Sequence, residues 1–262
     1  MSGSQRNVAG NADGNVDGLA PLGPTVSVWA HPDDETYLAG GVYAALRDRG
    51  VRVVCVTATR GEAGGPGTDG ASRSALGQVR TRELEEALGV LGVEEHHWLG
   101  HQDGECAQVD SEVAADQIAE VLDEVQPQTL LTFGPDGFTG HADHRAVSHW
   151  VDLAVRRSTA APTVLHAVAT EAALAVDHEL THDLGVYDEG WPRICDPEEL
   201  TIDLALEGSE LSRKVQALLC QASQTGGLVD AVGIDRFTAW VASECFAQAP
   251  ASEGGGVGRM RS

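Results

Sequence analysis

The sequence predicts a single α/β domain, a mostly parallel sheet flanked by helices. Three observations carry this. Short β-branched and apolar runs such as "VRVVCVTA" and "TLLTF" alternate with longer segments of helical period, the pattern of strands joined by helical crossovers. The 262 residues are 42% hydrophobic, enough for a substantial core. No internal repeat and no linker sets off a second domain.

The elements follow in order. Val26 to Ala30 reads as a buried first strand, and "DETYLAGGVYAALRDRG" as a helix with an acidic start, an apolar face through Leu38, Val42 and Leu46, and Gly50 as C-cap. Val51 to Ala58 forms the second strand. After the Gly-rich "TRGEAGGPGTDG", a helix is expected around Leu76 to Leu91 and a short strand near His96 to Leu99. Ser111 to Val125 is helical, "TLLTF" ends the fourth strand at Phe133, a helix starts near His144, and "TVLHAVAT" offers a fifth strand. Beyond about Thr170 the pattern weakens, although "TIDLAL" suits a strand and "SELSRKVQALLCQASQ" a helix. Residues 1–24 are rich in Gly, Asn and Asp with little to bury, so they read as a disordered tail ahead of one domain over 25–262.

Composition narrows the partners. Forty acidic residues against 17 basic ones give a net charge of -23, and Lys214 is the only lysine. Nucleic acid is disfavoured, since phosphate binding needs a basic footprint. No run reaches the roughly 18 apolar residues of a membrane helix, and the first 24 residues lack a basic start and apolar core, so neither membrane insertion nor secretion is signalled. Cys55, Cys106, Cys195, Cys220 and Cys245 are odd in number and form no C-x-x-C pair, which fits reduced thiols and a cytoplasmic location. A homo-oligomer is left open.

Ligands of open α/β sheets bind outside the carboxyl ends of the strands. Four such ends read "AHPDDE", "TRGEAGG", "LGHQDG" and "FGPDGFTGHADH", all crowded with ionisable groups. His31 and Asp34 sit three apart in a turn begun by Pro32, close enough to grip one ion, and "HADH" supplies His141 and His144 as further donors. Two His and one Asp with a fourth position open is the arrangement of a catalytic zinc. Asp33, beside a ligand without being one, is placed to take a proton from an activated water, and otherwise to cap a helix. His141, two residues from Asp143, could act as an imidazolium that stabilises an oxyanion. Glu35 suits a first-turn helix acid or a partner of the ligands.

These motifs, with "RTRELEEALGVLGV", "KVQALLCQASQ" and "SECF", make the chain resemble the LmbE-like (PIG-L) family of zinc-dependent de-N-acetylases over roughly Val26 to Phe246. The resemblance implies a Rossmann-like sheet, and one zinc, with iron as the other candidate, on His31, Asp34 and His144. It further implies Asp33 as base, and His141, oriented by Asp143, as acid or oxyanion stabiliser. Arg80 and Asp103 would then reach sugar hydroxyls. Many relatives carry His where this chain has Gln221. The implied reaction is hydrolysis of an N-acetyl amide on an amino sugar of a small glycoconjugate. An amidase acting on a cysteinyl glycoside conjugate and an antibiotic-tailoring deacetylase are the alternatives within the family. A two-metal phosphoesterase would need more bridging acids than surround His31. A nucleotide-binding module fails because "HPDDE" stands where G-x-G-x-x-G would be, and "GEAGGPGTDG" lacks the Lys-Ser/Thr of a P-loop.

Overall fold

Seven strands form one sheet in the order β3-β2-β1-β4-β5-β7-β6 in the computed structural model, which describes residues 19, 22–66, 69–177, 180, 186–187 and 192–250. They are β1 (Thr25–Trp29), β2 (Val53–Thr59), β3 (Glu95–His101), β4 (Thr129–Phe133), β5 (Thr163–Val168), β6 (Leu200–Ala205) and β7 (Ser243–Gln248). The first five are mutually parallel, and every residue of β1, β2 and β4 is buried, as strands covered on both faces must be. Helices α1 (Asp34–Asp48), α2 (Gly70–Leu91), α3 (Ser111–Val125) and α4 (Ala142–Arg157) supply the crossovers. A single turn, α5 (Glu171–Leu174), is followed later by α6 (Gly208–Cys220), α7 (Ala222–Val232) and α8 (Ile234–Trp240). α3 packs on α4, while α6 packs on α1 and α2.

Strand order runs outward through β2 and β3 on one side of β1 and through β4 and β5 on the other. The loops after β1 and β4 therefore diverge and open a crevice at the switch point, where α/β sheets bind ligands. The sheet departs from parallel only at the end sequence could not read: β7 pairs antiparallel with β5 and with β6. Helix α2 starts earlier than its periodicity suggested, because Asp69 caps it by accepting from the backbone N–H groups of Ala71 and Ser72. The helix expected through "QASQ" breaks at Gln221 (φ -92°, ψ 44°) and resumes as α7. Most of the expected 1–24 tail lies outside the described residues. Leu19 and Leu22, however, are buried in the core, so packing begins ahead of residue 25.

The core sits between sheet and helices around Trp29, Tyr43, Phe133 and Trp150. Trp29 Nε1 donates to the Tyr43 hydroxyl at 2.8 Å, and the rings of Trp29 and Phe133 meet edge to face at 5.0 Å, worth about 0.5–1.5 kcal/mol beyond area burial. One fully buried ion pair ties the C-terminal part to α1. Lys214 Nζ lies 2.8 Å from Glu244 Oε1, and both side chains are 0% exposed. Lys214 also donates to the Tyr37 carbonyl at 2.7 Å, while Glu244 accepts from the N–H groups of Gly41 (2.7 Å) and Val42 (2.8 Å). The pair thus inserts into the middle of α1. Removing either partner alone would leave a buried charge, a loss of about 3–5 kcal/mol. Among the described residues no helix is long and apolar enough to cross a membrane.

Candidate active site

The chain leaves β1 through Ala30 and turns at His31, Pro32 and Asp33 before α1 begins. The His31 N–H donates to Asp34 Oδ2 at 2.8 Å, which fixes the Asp34 carboxylate toward the crevice side of the turn. Asp33 occupies the N-cap with φ 111° and ψ -33°, outside the common regions for a side-chain-bearing residue, and its side chain makes no capping bond. Such strain, of order 1–3 kcal/mol, persists only where surroundings enforce it. Here Glu35 Oε2 accepts from the Asp33 N–H at 3.0 Å, and Glu35 Oε1 in turn accepts from Gln221 Nε2 at 2.7 Å. Gln221 therefore braces the turn through Glu35 and makes no direct contact with the donor cluster.

Arg80 holds the same turn from α2. Its guanidinium donates to the carbonyls of Gly61 (2.8 Å) and Pro32 and lies 3.3 Å from Asp33 Oδ2. The glycines of "TRGEAGG" make room for it: a Cβ on Gly61 would stand 2.3 Å, and one on Gly64 2.6 Å, from guanidinium atoms. Burial raises the Asp33 carboxyl to about 7, helped by the charges of Asp34 and Glu35 and opposed by Arg80 and His31. A carboxyl with such a pKa is poised for proton transfer near neutrality.

Three donors converge next to it. His31 Nδ1 and His144 Nε2 are 3.2 Å apart, with Asp34 oxygens 3.7 Å from the first and 3.4 Å from the second. Tetrahedral ligands at roughly 2.0–2.1 Å from zinc stand about 3.3 Å from one another, close to the spacing of the two ring nitrogens, while the two Asp34 distances run to different oxygens. The outer contacts orient both rings. His144 Nδ1 donates to the Gly137 carbonyl at 2.9 Å, leaving Nε2 as the free lone pair, and the ring stacks on Phe133 at 4.2 Å. Burial lowers the His144 pKa to about 4, so it stays neutral and able to ligate. His31 Nε2 lies 3.0 Å from Asp103 Oδ1 and 3.3 Å from Asp143 Oδ2.

His31, Asp103 and Asp143 form a second cluster with metal-like spacing, and His141 stands close enough to join His31 and His144. Geometry separates these. Asp103 accepts from the Ala63 N–H (2.7 Å), and Asp143 from those of Gly104 (2.7 Å) and Cys106 (3.1 Å). Both carboxylates are thus already satisfied by protein, which is the surrounding of an orienting group. Burial works against ionising His31, but Asp103, Asp143 and Asp34 outweigh it and raise its pKa to about 10. The ring is consequently an imidazolium in the metal-free protein. A metal must displace the Nδ1 proton, so its apparent affinity should rise roughly tenfold per pH unit between about pH 6.5 and 9. Competition against a chromophoric chelator would show it, and a flat profile would remove Nδ1 from the donor set.

His141 caps α4. Its Nδ1 accepts from the Asp143 N–H at 3.2 Å, so its remaining proton belongs on Nε2. The sequence suggested an imidazolium paired with the Asp143 carboxylate. In the structure Asp143 meets His141 through its main-chain N–H, while its carboxylate lies 3.3 Å from His31 Nε2. Arg80 and Asp103, expected at sugar hydroxyls, are 4% and 5% exposed, bond to the protein, and do not line the cavity that Asp33, Asp34 and His144 border. Glu83, one turn from Arg80, bonds Ser223 instead. Sequence reasoning missed Glu62, whose Oε1 accepts from the Asp103 N–H at 3.0 Å, and the Thr139 hydroxyl, 3.2 Å from His144 Nδ1. Their places inside the Gly-rich loops after β2 and β4 were the available signal.

The match to known proteins agrees with this geometry. Residues 26–155 match the model of the PIG-L family, described as GlcNAc-PI de-N-acetylase. The 1D-myo-inositol 2-acetamido-2-deoxy-alpha-D-glucopyranoside deacetylase 1 of Saccharopolyspora erythraea is 30% identical over 235 residues, 75% of this chain and 76% of its own. A probable N-acetyl-alpha-D-glucosaminyl L-malate deacetylase 2 of Bacillus cereus is 36% identical over 146 residues, 54% of this chain and 66% of its own. In fold, the chain is similar to the N,N'-diacetylchitobiose deacetylase of Pyrococcus horikoshii (TM-score 0.60, 20% identity, 89% of this chain and 86% of that one). With a donor cluster at the switch point and relatives matched along three quarters of its length, the chain belongs to the PIG-L family of de-N-acetylases.

Proposed function

We propose that the protein hydrolyses the N-acetyl amide of an amino sugar in a small glycoconjugate, using a zinc ion held by His31, Asp34 and His144. The observation that carries this reading is the convergence of His31 Nδ1, Asp34 and His144 Nε2 within 3.2–3.7 Å beside Asp33. Zinc, when bound, polarises the amide carbonyl and lowers the pKa of water. The chain's own residues do the rest. Asp33 takes the proton from the attacking water and returns it to the departing nitrogen, so that water and amide become acetate and free amine. His141 donates from Nε2 to the carbonyl oxygen as charge develops there. Asp103 and Asp143 hold the proton on His31 Nε2, which keeps Nδ1 for the ion. Five unpaired cysteines support a reducing, cytoplasmic setting.

Arg80 acts in this scheme by fixing the Asp33 turn. Arg80→Ala should lower kcat by about 10²-fold, the usual cost of a misplaced catalytic group, with little change in KM. A raised KM at constant kcat would return Arg80 to the substrate. The test of the reaction itself is acetate release by zinc-loaded, iron-loaded and chelated protein across N-acetylglucosamine and its conjugates. Metal-dependent release supports the reading, and silence with metal bound overturns it.

A further inference from the structure

The donor cluster opens into a cavity of about 270 Å³, near the lower end of the roughly 300–1,000 Å³ of small-molecule sites and far more than the two carbons of an acetyl group fill. Asp33, Asp34 and His144 form its polar end. Much of the remaining lining is apolar, with Leu38, Phe138, Val168 and Leu228, while Thr139, Tyr187 and Ser243 contribute hydroxyl-bearing side chains. Glu244 also borders the cavity, but its carboxylate is committed to Lys214 and to the amides of Gly41 and Val42. Phe138 takes its place with φ 62°, a left-handed backbone that a bulky residue keeps only under constraint. Its ring lies 6.2 Å from that of Tyr187.

No lysine or arginine is among the described residues lining this cavity. The chain as a whole carries a net charge of -23. Arg80 and Asp103, expected at sugar hydroxyls, bond to the protein instead. A carboxylate on these walls would find no cationic side chain among the described lining residues, and a ring of hydroxyls would find few hydrogen-bond partners on a mostly apolar wall.

From this lining we infer that the substrate presents an uncharged, apolar group beside the scissile amide. The chain would then prefer an apolar glucosaminide or a longer N-acyl glucosamine over an anionic malate or hydroxyl-rich inositol conjugate. This rests on the amide-hydrolase reading above and narrows its substrate.

The test is kcat/KM for the zinc-loaded full chain on five compounds. Hexyl 2-acetamido-2-deoxyglucoside carries the apolar group on the aglycone, and N-hexanoylglucosamine carries it on the acyl side. N-acetylglucosamine and its malate and inositol conjugates complete the set. At least one of the two apolar compounds should exceed the malate and inositol conjugates by about tenfold or more, as the burial of a few methylenes allows, and which of them does so names the side. Leu228→Lys should shift the ratio of malate conjugate to apolar compound upward by about tenfold. Malate or inositol conjugates turned over as well as the apolar compounds would overturn the inference and leave the hydrolase reading intact. Hydrolysis of none would instead strike the hydrolase reading. Tryptophan fluorescence titration then decides the pocket: tighter binding of the hexyl glycoside than of the malate conjugate supports it, and equal or weaker binding overturns it.

Discussion

Asp33→Asn should keep its metal and lose about three orders of magnitude in kcat. The substitution preserves shape, and Asn, like Asp, tolerates positive φ better than other side chains, so the turn between Glu35 and Arg80 should persist. The amide cannot accept the proton, and positioned acid–base groups typically contribute 10²–10⁴-fold. Elemental analysis beside steady-state kinetics makes the measurement. A rate within tenfold of wild type would take Asp33 out of the chemistry and leave it as the helix cap that sequence alone also allowed. The same carboxyl, held near 7 in the metal-free protein by burial, must lose its proton to serve as base. Activity should therefore fall as pH drops through the pKa that Asp33 has in the loaded enzyme, and the mutant's residual rate should lack that limb.

His144→Ala should lower metal affinity by more than about 100-fold, beyond the 10–100-fold typical when only an outer partner of a ligand is lost. The change removes one of three donors and leaves the Gly137 carbonyl and the Thr139 hydroxyl without their imidazole partner. His141→Ala is the informative contrast, because both histidines come from "HADH" and both lie within reach of His31. Its ring caps α4 through Nδ1, so its loss should reduce kcat with near-full metal occupancy. Occupancy after dialysis against a competing chelator, with thermal denaturation to confirm folding, distinguishes the two. Full occupancy in His144→Ala would show the donor set to be wrong.

β1, β2 and β4 were legible in sequence because parallel strands buried on both faces are continuous apolar runs, and the crevice followed from where those runs stop. His31, Asp33, Asp34, His141 and His144 were legible because charge at such an end is conspicuous. What escaped were partnerships made across long sequence distances. "SECFAQ" hides a strand behind a glutamate that looks solvent-exposed, since nothing nearby announces that Lys214 and the amides of α1 neutralise it. Arg80 and Asp103 were recognised as special. Their targets, the carbonyls of Gly61 and Pro32 for the first and the amide of Ala63 for the second, belong to loops whose shape periodicity does not encode. The stretch "LGVYDEGWPRICDP", in which no pattern was readable, falls partly outside the described residues.

The buried Lys214–Glu244 pair sets a limit on how this enzyme can be dissected. The family match ends at residue 155, and a fragment cut after α4 would retain His31, Asp33, Asp34, His141 and His144. Yet α1, which carries Asp34 in its first turn, is completed from residues 214 and 244. Without them, the Tyr37 carbonyl and the Gly41 and Val42 amides would lose their outside partners midway along the helix. The same fragment would also uncover the face of α1 against which α6 and β7 pack, so the stability of the His31–Asp34 turn is tied to the far end of the chain.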